Sequence, residues 1–241
     1  MLPILVLTTV AAFFVKGLAG FGPALVMIPV FSFFLPLTEV VPISGALLLL
    51  SNIPLALSGR GKLRRRMFVP AALGFGVGVA FGGQLLVLLP EALLLHVLGA
   101  TLIGFCGYQL WGGRDVEVVP PWTRREAALL LIVSVFSGLI VGAVGAGALP
   151  LIVFLGLRYP KTEFRLLLTY VFLVGSASQV IVYGARGLYT PEVLVTFAWL
   201  VVPMLAGLWL GSSLFGIVKQ RTFNRAVGVL LVLPAIRLLL S

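Results

Sequence analysis

Residues 17–29 read GLAGFGPALVMIP, and residues 138–150 read GLIVGAVGAGALP. Each stretch carries Gly-x-x-Gly-x-Gly in apolar surroundings: Gly17, Gly20 and Gly22 in the first, Gly142, Gly145 and Gly147 in the second. Glycine in a helix interior costs roughly 1 kcal/mol against alanine, so three of them at one spacing, used twice, mark two deliberate breaks. The apolar stretch 2–36 around the first signature would be about 52 Å long as one helix, against a hydrocarbon core of about 30 Å. The break is expected at Gly17–Pro23. Two short helices, about 2–16 and 23–36, then meet at a glycine turn, and 126–141 and 148–157 do the same in the second stretch. The sequence leaves open whether these pairs are re-entrant or span fully.

The surroundings point to a membrane. Of 241 residues, 61% are hydrophobic and 10% charged, and mean hydropathy is +1.19. Soluble domains run nearer 45–50% apolar and about 25% charged, so one soluble core could not bury this chain. Further apolar runs at 40–58, 67–89, 91–111, 166–184, 193–217 and 226–240 are long enough to cross a bilayer. The fold class is therefore all-α and polytopic, placed in the cell membrane as a multi-pass protein. No Lys or Arg precedes the first apolar run, so no secretory signal peptide is expected. The lone Cys106 excludes an internal disulfide framework, and His96, the single histidine, stands near few acids. Neither a metal centre nor a cofactor is expected.

An internal repeat organises the chain. At the offset that relates the glycine signatures, Ser44 pairs with Thr169, Ser51 with Ser176 and Gly59 with Gly184. Pro70-x3-Gly74-x3-Gly78 recurs as Pro203-x3-Gly207-x3-Gly211 at an offset of 133. The repeats are 1–112 and 124–241, joined by a polar linker at 113–123. Corresponding loops carry opposite charge bias: the five basic residues of 60–66 answer Arg186 alone, LPLTEVV answers Arg158, Lys161 and Arg165, and Pro90-Glu91 answers Lys219, Arg221 and Arg225. By the positive-inside rule such loops lie on opposite faces, so the repeat is expected to be inverted. The loops 60–66, 112–125, 158–165 and 219–225 fall in the cytoplasm and hold 14 of the 17 basic residues. The net charge of +10 is thus a matter of topology and of attraction to anionic lipid headgroups, not of nucleic-acid binding. Each repeat supplies a glycine-broken helix pair and three transmembrane helices. Oligomeric state is not legible.

Non-helical backbone inside a membrane is tolerated only where protein or a water-filled cavity satisfies it. Free N–H groups and the positive dipole end of the helix after each turn point at that turn, and two such ends brought together would bind an anion. Gly20, Gly22, Gly145 and Gly147 are the candidate residues. Gly74, Gly78, Gly82, Gly207 and Gly211 are assigned to close helix packing instead. Ser44, Ser51, Asn52, Thr169, Ser176, Ser178 and Gln179 lie on the two corresponding helices, where hydroxyls and amides can donate to an oxyanion; interhelical bonding or back-bonding is the alternative use. Lys16 abuts Gly17. In a re-entrant pair it faces the anion at depth, and in a full span it snorkels at the cytoplasmic interface. Gln84, Thr101 and Gln109 read as structural.

Two glycine-rich breaks each followed by proline (Gly20-Phe21-Gly22 to Pro29, Gly145-Ala146-Gly147 to Pro150), each leading to a helix with small hydroxyl residues, resemble the TauE/SafE family. This is the sulfite exporter and toluene-sulfonate uptake permease group of bacterial inner-membrane transporters. The resemblance covers nearly the whole chain, although Pro23 and Ala146 interrupt the family's usual run of three glycines. It implies transport of a small sulfur-containing oxyanion or organosulfonate.

With no nucleotide-binding P-loop in the sequence, the reading is a secondary transporter working by alternating access between the repeats, coupled to a proton or sodium gradient or driven by the anion's own. A non-transporting membrane scaffold is the alternative. An intramembrane enzyme is disfavoured, because Gly175-Ser176-Ala177-Ser178 lacks the Gly-x-Ser-x-Gly pattern and His96 has no evident acidic partner.

Overall fold

The computed structural model describes residues 2–58, 64–111 and 122–214. These form nine helices: α1 (Leu2–Ala19), α2 (Pro23–Phe31), α3 (Leu37–Ser58), α4 (Arg65–Leu88), α5 (Glu91–Trp111), α6 (Arg124–Val144), α7 (Leu149–Gly156), α8 (Lys161–Ala185) and α9 (Pro191–Ser213). Six, namely α3, α4, α5, α6, α8 and α9, are long and apolar enough to cross a membrane, and α1 is a shorter apolar helix. The expected span 226–240, the loop 219–225, most of the loop 60–66 and all of the linker except Trp122 and Thr123 lie outside the described residues.

Helix starts carry ordinary signals. Thr123 caps α6 by accepting from the Glu126 N–H at 3.2 Å, and Thr190 caps α9, which opens on Pro191. Glu39, Glu91, Glu126, Glu163 and Glu192 each sit in a first helical turn, where a carboxylate complements the helix dipole.

The breaks fall inside the stretches expected, Gly17–Pro23 and its counterpart, but occupy only their later part. Gly17 and Gly142 remain helical, and the chain turns left-handed only at Gly20 (φ 83°) and Gly22 (95°), and again at Gly145 (75°) and Gly147 (110°). A β-carbon in this region costs about 1–2 kcal/mol, so glycine is the natural occupant. The helices before the turns are consequently longer than expected and those after them shorter. At 9 and 8 residues, α2 and α7 are each about 13 Å long and cannot cross a bilayer. Both fold back: Thr9 Oγ1 of α1 lies 4.0 Å from Met27 Sδ of α2, and the Leu151 N–H of α7 donates to Ser137 Oγ of α6 at 2.9 Å. Beyond α7, Arg158 pairs with Glu126 in the first turn of α6 at 3.6 Å. The second hairpin therefore returns to the end of the bundle it started from.

The corresponding helices α3 and α8 run antiparallel. Tyr189, after α8, donates to Pro42 O near the start of α3, while Tyr170 near the start of α8 donates to Ala56 O at the end of α3. Arg64, just before α4, pairs with Glu163 in the first turn of α8 at 3.2 Å.

α4 packs on α6, and α9 packs on α1. Small residues let the backbones touch, since packing inside lipid relies on close van der Waals contact. A β-carbon on Gly142 would meet Val79 O, with Gly83 N at 2.8 Å; one on Gly17 would meet Leu208 O and, at 2.6 Å, Ser212 N. Likewise Gly78 abuts Val135 O and Leu139 N, and Gly207 abuts Val10 O and Phe14 N. These paired contacts relate α4 to α9 at an offset of 129, one helical turn short of the 133 read from the sequence. A glycine every four residues matches itself after a one-turn slip, so pattern alone cannot fix the register. Two apolar cores result, one around Phe13, Met27, Phe31 and Leu47, the other around Phe75, Leu151, Leu155 and Leu168.

Candidate functional site

Lys16 is in the last turn of α1, and its carbonyl accepts from the Gly20 N–H at 2.7 Å. Close packing of α1 on α9 through Gly17 and Gly211 faces the lysine side chain away from lipid, where it is 1% exposed. The ammonium donates to Ser51 Oγ and to Asn52 Oδ1, each at 2.6 Å, and lies 5.9 Å from the centroid of the Phe13 ring. Ser51 donates onward to Leu48 O at 2.9 Å. The Asn52 amide donates to Ser176 Oγ at 3.2 Å, and Ser176 donates to Phe172 O at 2.7 Å. One polar chain thus runs from α1 through α3 to α8. Ser51 and Ser176 are counterparts in the repeat, and the antiparallel crossing of their helices is what brings them within one residue of each other.

No carboxylate balances this lysine among the described residues. The chain has seven acids: five lie in first turns at helix starts, and Asp115 and Glu117 lie in the linker. The ion pairs Arg64–Glu163 and Arg158–Glu126 are at those starts. A buried charge ordinarily has a counter-charge, because its desolvation costs several kcal/mol.

Four predicted residues are therefore brought together: Lys16, Ser51, Asn52 and Ser176. The others are not. Ser44 donates to Val40 O, Thr169 to Arg165 O and Ser178 to Val174 O, each one turn back on its own helix. Gln179 donates to Val141 O and to Tyr183, which itself donates to Gly142 O at 2.7 Å. These two dress the end of α6, at the place corresponding to Lys16 in α1.

The glycine turns do not converge on one cradle, contrary to the sequence reading. Gly20 lies beside the guanidinium of Arg165 near the start of α8, whereas Gly145 is walled by Ile28 and by Val41 near the start of α3, and Gly147 by Ile140 and Thr101. Since α3 and α8 are antiparallel, the turns sit toward opposite ends of that pair. In the second turn the Leu151 N–H is already taken by Ser137, and apolar side chains close the rest.

The first turn differs. A β-carbon on Gly22 would meet, among the described residues, no more than Leu25 Cδ1 at 4.0 Å. Phe21 packs edge-on against Phe105 of α5 and Phe164 of α8, both at 6.2 Å. Arg165, which the sequence reading left in a basic cytoplasmic loop, is helical, and its Nε lies 3.0 Å from the position a β-carbon on Gly20 would take. The missed signal was its spacing, since Arg165 stands four residues inside a helix opened by Pro160. The counterparts of Lys16 and Arg165 are Val141 and Val40, so both cations belong to the first turn alone. His96 lies away from Ser176, its Nδ1 2.6 Å from Ala92 O on an exposed face of α5.

The family model described as Sulfite exporter TauE/SafE matches residues 5–238. No curated protein and no solved structure gives a significant match. The duplicated glycine breaks, six helices able to cross a membrane and a match over nearly the whole chain agree: the chain belongs to the Sulfite exporter TauE/SafE family of multi-pass membrane transporters.

Proposed function

We propose that this protein is a secondary carrier of a small anion, a sulfur-containing oxyanion or an organosulfonate, and that the anion is the missing counter-charge of Lys16. The observation that carries this reading is a wholly buried lysine whose Nζ is bonded, among the described residues, to the neutral oxygens of Ser51 and Asn52. A cation in that setting favours an anionic ligand over a neutral or cationic one, and the family match agrees with the sulfur chemistry. Arg165 and the first turn at Gly20–Gly22 form the approach to the site. The antiparallel α3 and α8 and the paired contacts of α1 with α9 and α6 with α4 support two inverted repeats that alternate access about the Asn52–Ser176 contact. Purified protein in liposomes, loaded in turn with sulfite, thiosulfate, methanesulfonate and acetate, tests this. Counterflow of at least one sulfur anion, lost in Lys16→Gln, is the expected result. No counterflow of any of them sinks the carrier and leaves the scaffold reading.

A further inference from the structure

A buried lysine is either paired with an anion or carried as the neutral amine, because hydrogen bonds to neutral oxygens do not repay the loss of water around a full charge. Lys16 has two acceptors, Ser51 Oγ and Asn52 Oδ1. A neutral amine has two N–H groups and an ammonium three. The site therefore satisfies both N–H groups of the amine, leaving its lone pair free to take a proton, and leaves the third N–H of the ammonium to an acceptor from outside.

Among the described residues no neighbouring element supplies that acceptor as a charge. α2 is apolar from Pro23 to Phe31. α3 presents Ser51 and Asn52, α9 presents Leu208, Gly211 and Ser212 at Gly17, and α8 contributes Ser176 through Asn52. The charged group beside Gly20, one turn further on, is Arg165, which is also positive, and Glu163, two residues before it, is paired with Arg64. The acids of α3, α5, α6, α8 and α9 all stand at helix starts.

Resting on the anion-carrier reading above, we propose that each transported anion travels with a proton carried on Nζ of Lys16. On loading, the amine lone pair takes a proton from the side the anion enters, and the new N–H bond points at the anion. On unloading that N–H bond breaks, the proton leaves with the anion on the other side, and the empty carrier returns with the amine bonded to Ser51 and Asn52. Nothing is oxidised or reduced. One proton moves per anion, so a monovalent anion is carried without net charge, and an inside-alkaline gradient drives its uptake.

Methanesulfonate tests this cleanly, because it stays ionised and cannot carry the proton itself, as sulfite can. Liposomes containing the protein and the pH dye pyranine receive an inward methanesulfonate gradient, with anion uptake followed by ion chromatography. The lumen should acidify by one proton per anion, at a rate that valinomycin with equal potassium on both sides leaves unchanged. Lys16→Arg keeps a charge that does not come off; it should still exchange labelled methanesulfonate across the membrane, while net uptake and acidification fall to the level of protein-free liposomes. Uptake that follows membrane potential without acidification would overturn the proton's role and leave the anion carrier standing. So would a Lys16→Arg variant with full proton-coupled uptake. Where methanesulfonate does not exchange, thiosulfate replaces it, with one proton expected per dianion; wild-type protein that exchanges neither overturns the anion-carrier reading itself.

Discussion

At the scale of single residues, what separates the predicted set is which hydroxyls also accept a hydrogen bond from another helix. Ser44, Ser51, Thr169, Ser176 and Ser178 all donate to a carbonyl of their own helix, but Ser51 also accepts from Lys16 and Ser176 from Asn52, whose own oxygen accepts from Lys16. A hydrogen bond to a charged group is worth about 1.5–3 kcal/mol and a neutral one about 0.5–1.5. Asn52→Ala should therefore weaken binding of the transported anion about ten- to a hundred-fold, because Lys16 loses an orienting acceptor. Ser176→Ala should cost about two- to ten-fold, and Ser44→Ala should leave affinity within about a factor of two. Isothermal titration of the purified variants orders them. Equal losses in Asn52→Ala and Ser44→Ala would mean that the Lys16 chain is not where the anion binds.

At the scale of elements, the glycines divide into two jobs that the shared Gly-x-x-Gly-x-Gly pattern hides. Gly17 and Gly142 exist for contact, Gly20, Gly22, Gly145 and Gly147 for conformation. The two jobs respond oppositely to substitution. At Gly142 size is what matters, so Gly142→Ala should cost roughly 1–3 kcal/mol by overpacking against α4 and Gly142→Asn more. At Gly22 there is room, but φ is 95°, and asparagine accepts such a backbone better than alanine does; Gly22→Asn should be the milder change. Melting midpoints in detergent test the ranking, with shifts of about 2–4 °C per kcal/mol in a chain of this size. The same rank order at both positions would show that the contact and the turn are not distinct.

At the scale of the whole molecule, opposite charge bias in corresponding loops and an antiparallel α3–α8 pair make one statement about topology. Single cysteines in a Cys106→Ser background test it from outside the cell. Arg64→Cys and Arg125→Cys should be protected from an impermeant maleimide, and Leu88→Cys and Arg186→Cys should react. Labelling of positions 64 and 186 from the same face would contradict two inverted repeats. The Arg64–Glu163 pair joins the start of α4 to the start of α8 at the end expected to be protected.

The membrane class and the two glycine breaks were legible in the amino-acid sequence, because each rests on local chemistry. Run length against bilayer thickness and glycine against helix are both decided within one segment. The sequence also named Lys16, since a lysine in an apolar stretch is costly wherever it points. Only the tertiary structure decided which way it points. Whether Ser51 or Ser44 meets the ammonium depends on how α3 crosses α8, and the register of α4 on α6 depends on backbone contacts that a four-residue glycine pattern fits equally well one turn away. The expected symmetry of the site failed for the same reason. The repeat duplicates the turns, but antiparallel packing sends them toward opposite ends of the α3–α8 pair, and the second is filled by Ile28, Val41 and Ser137. Periodicity reports what a segment does to its own backbone; partners distant in the chain are chosen by packing, and that choice leaves no local trace.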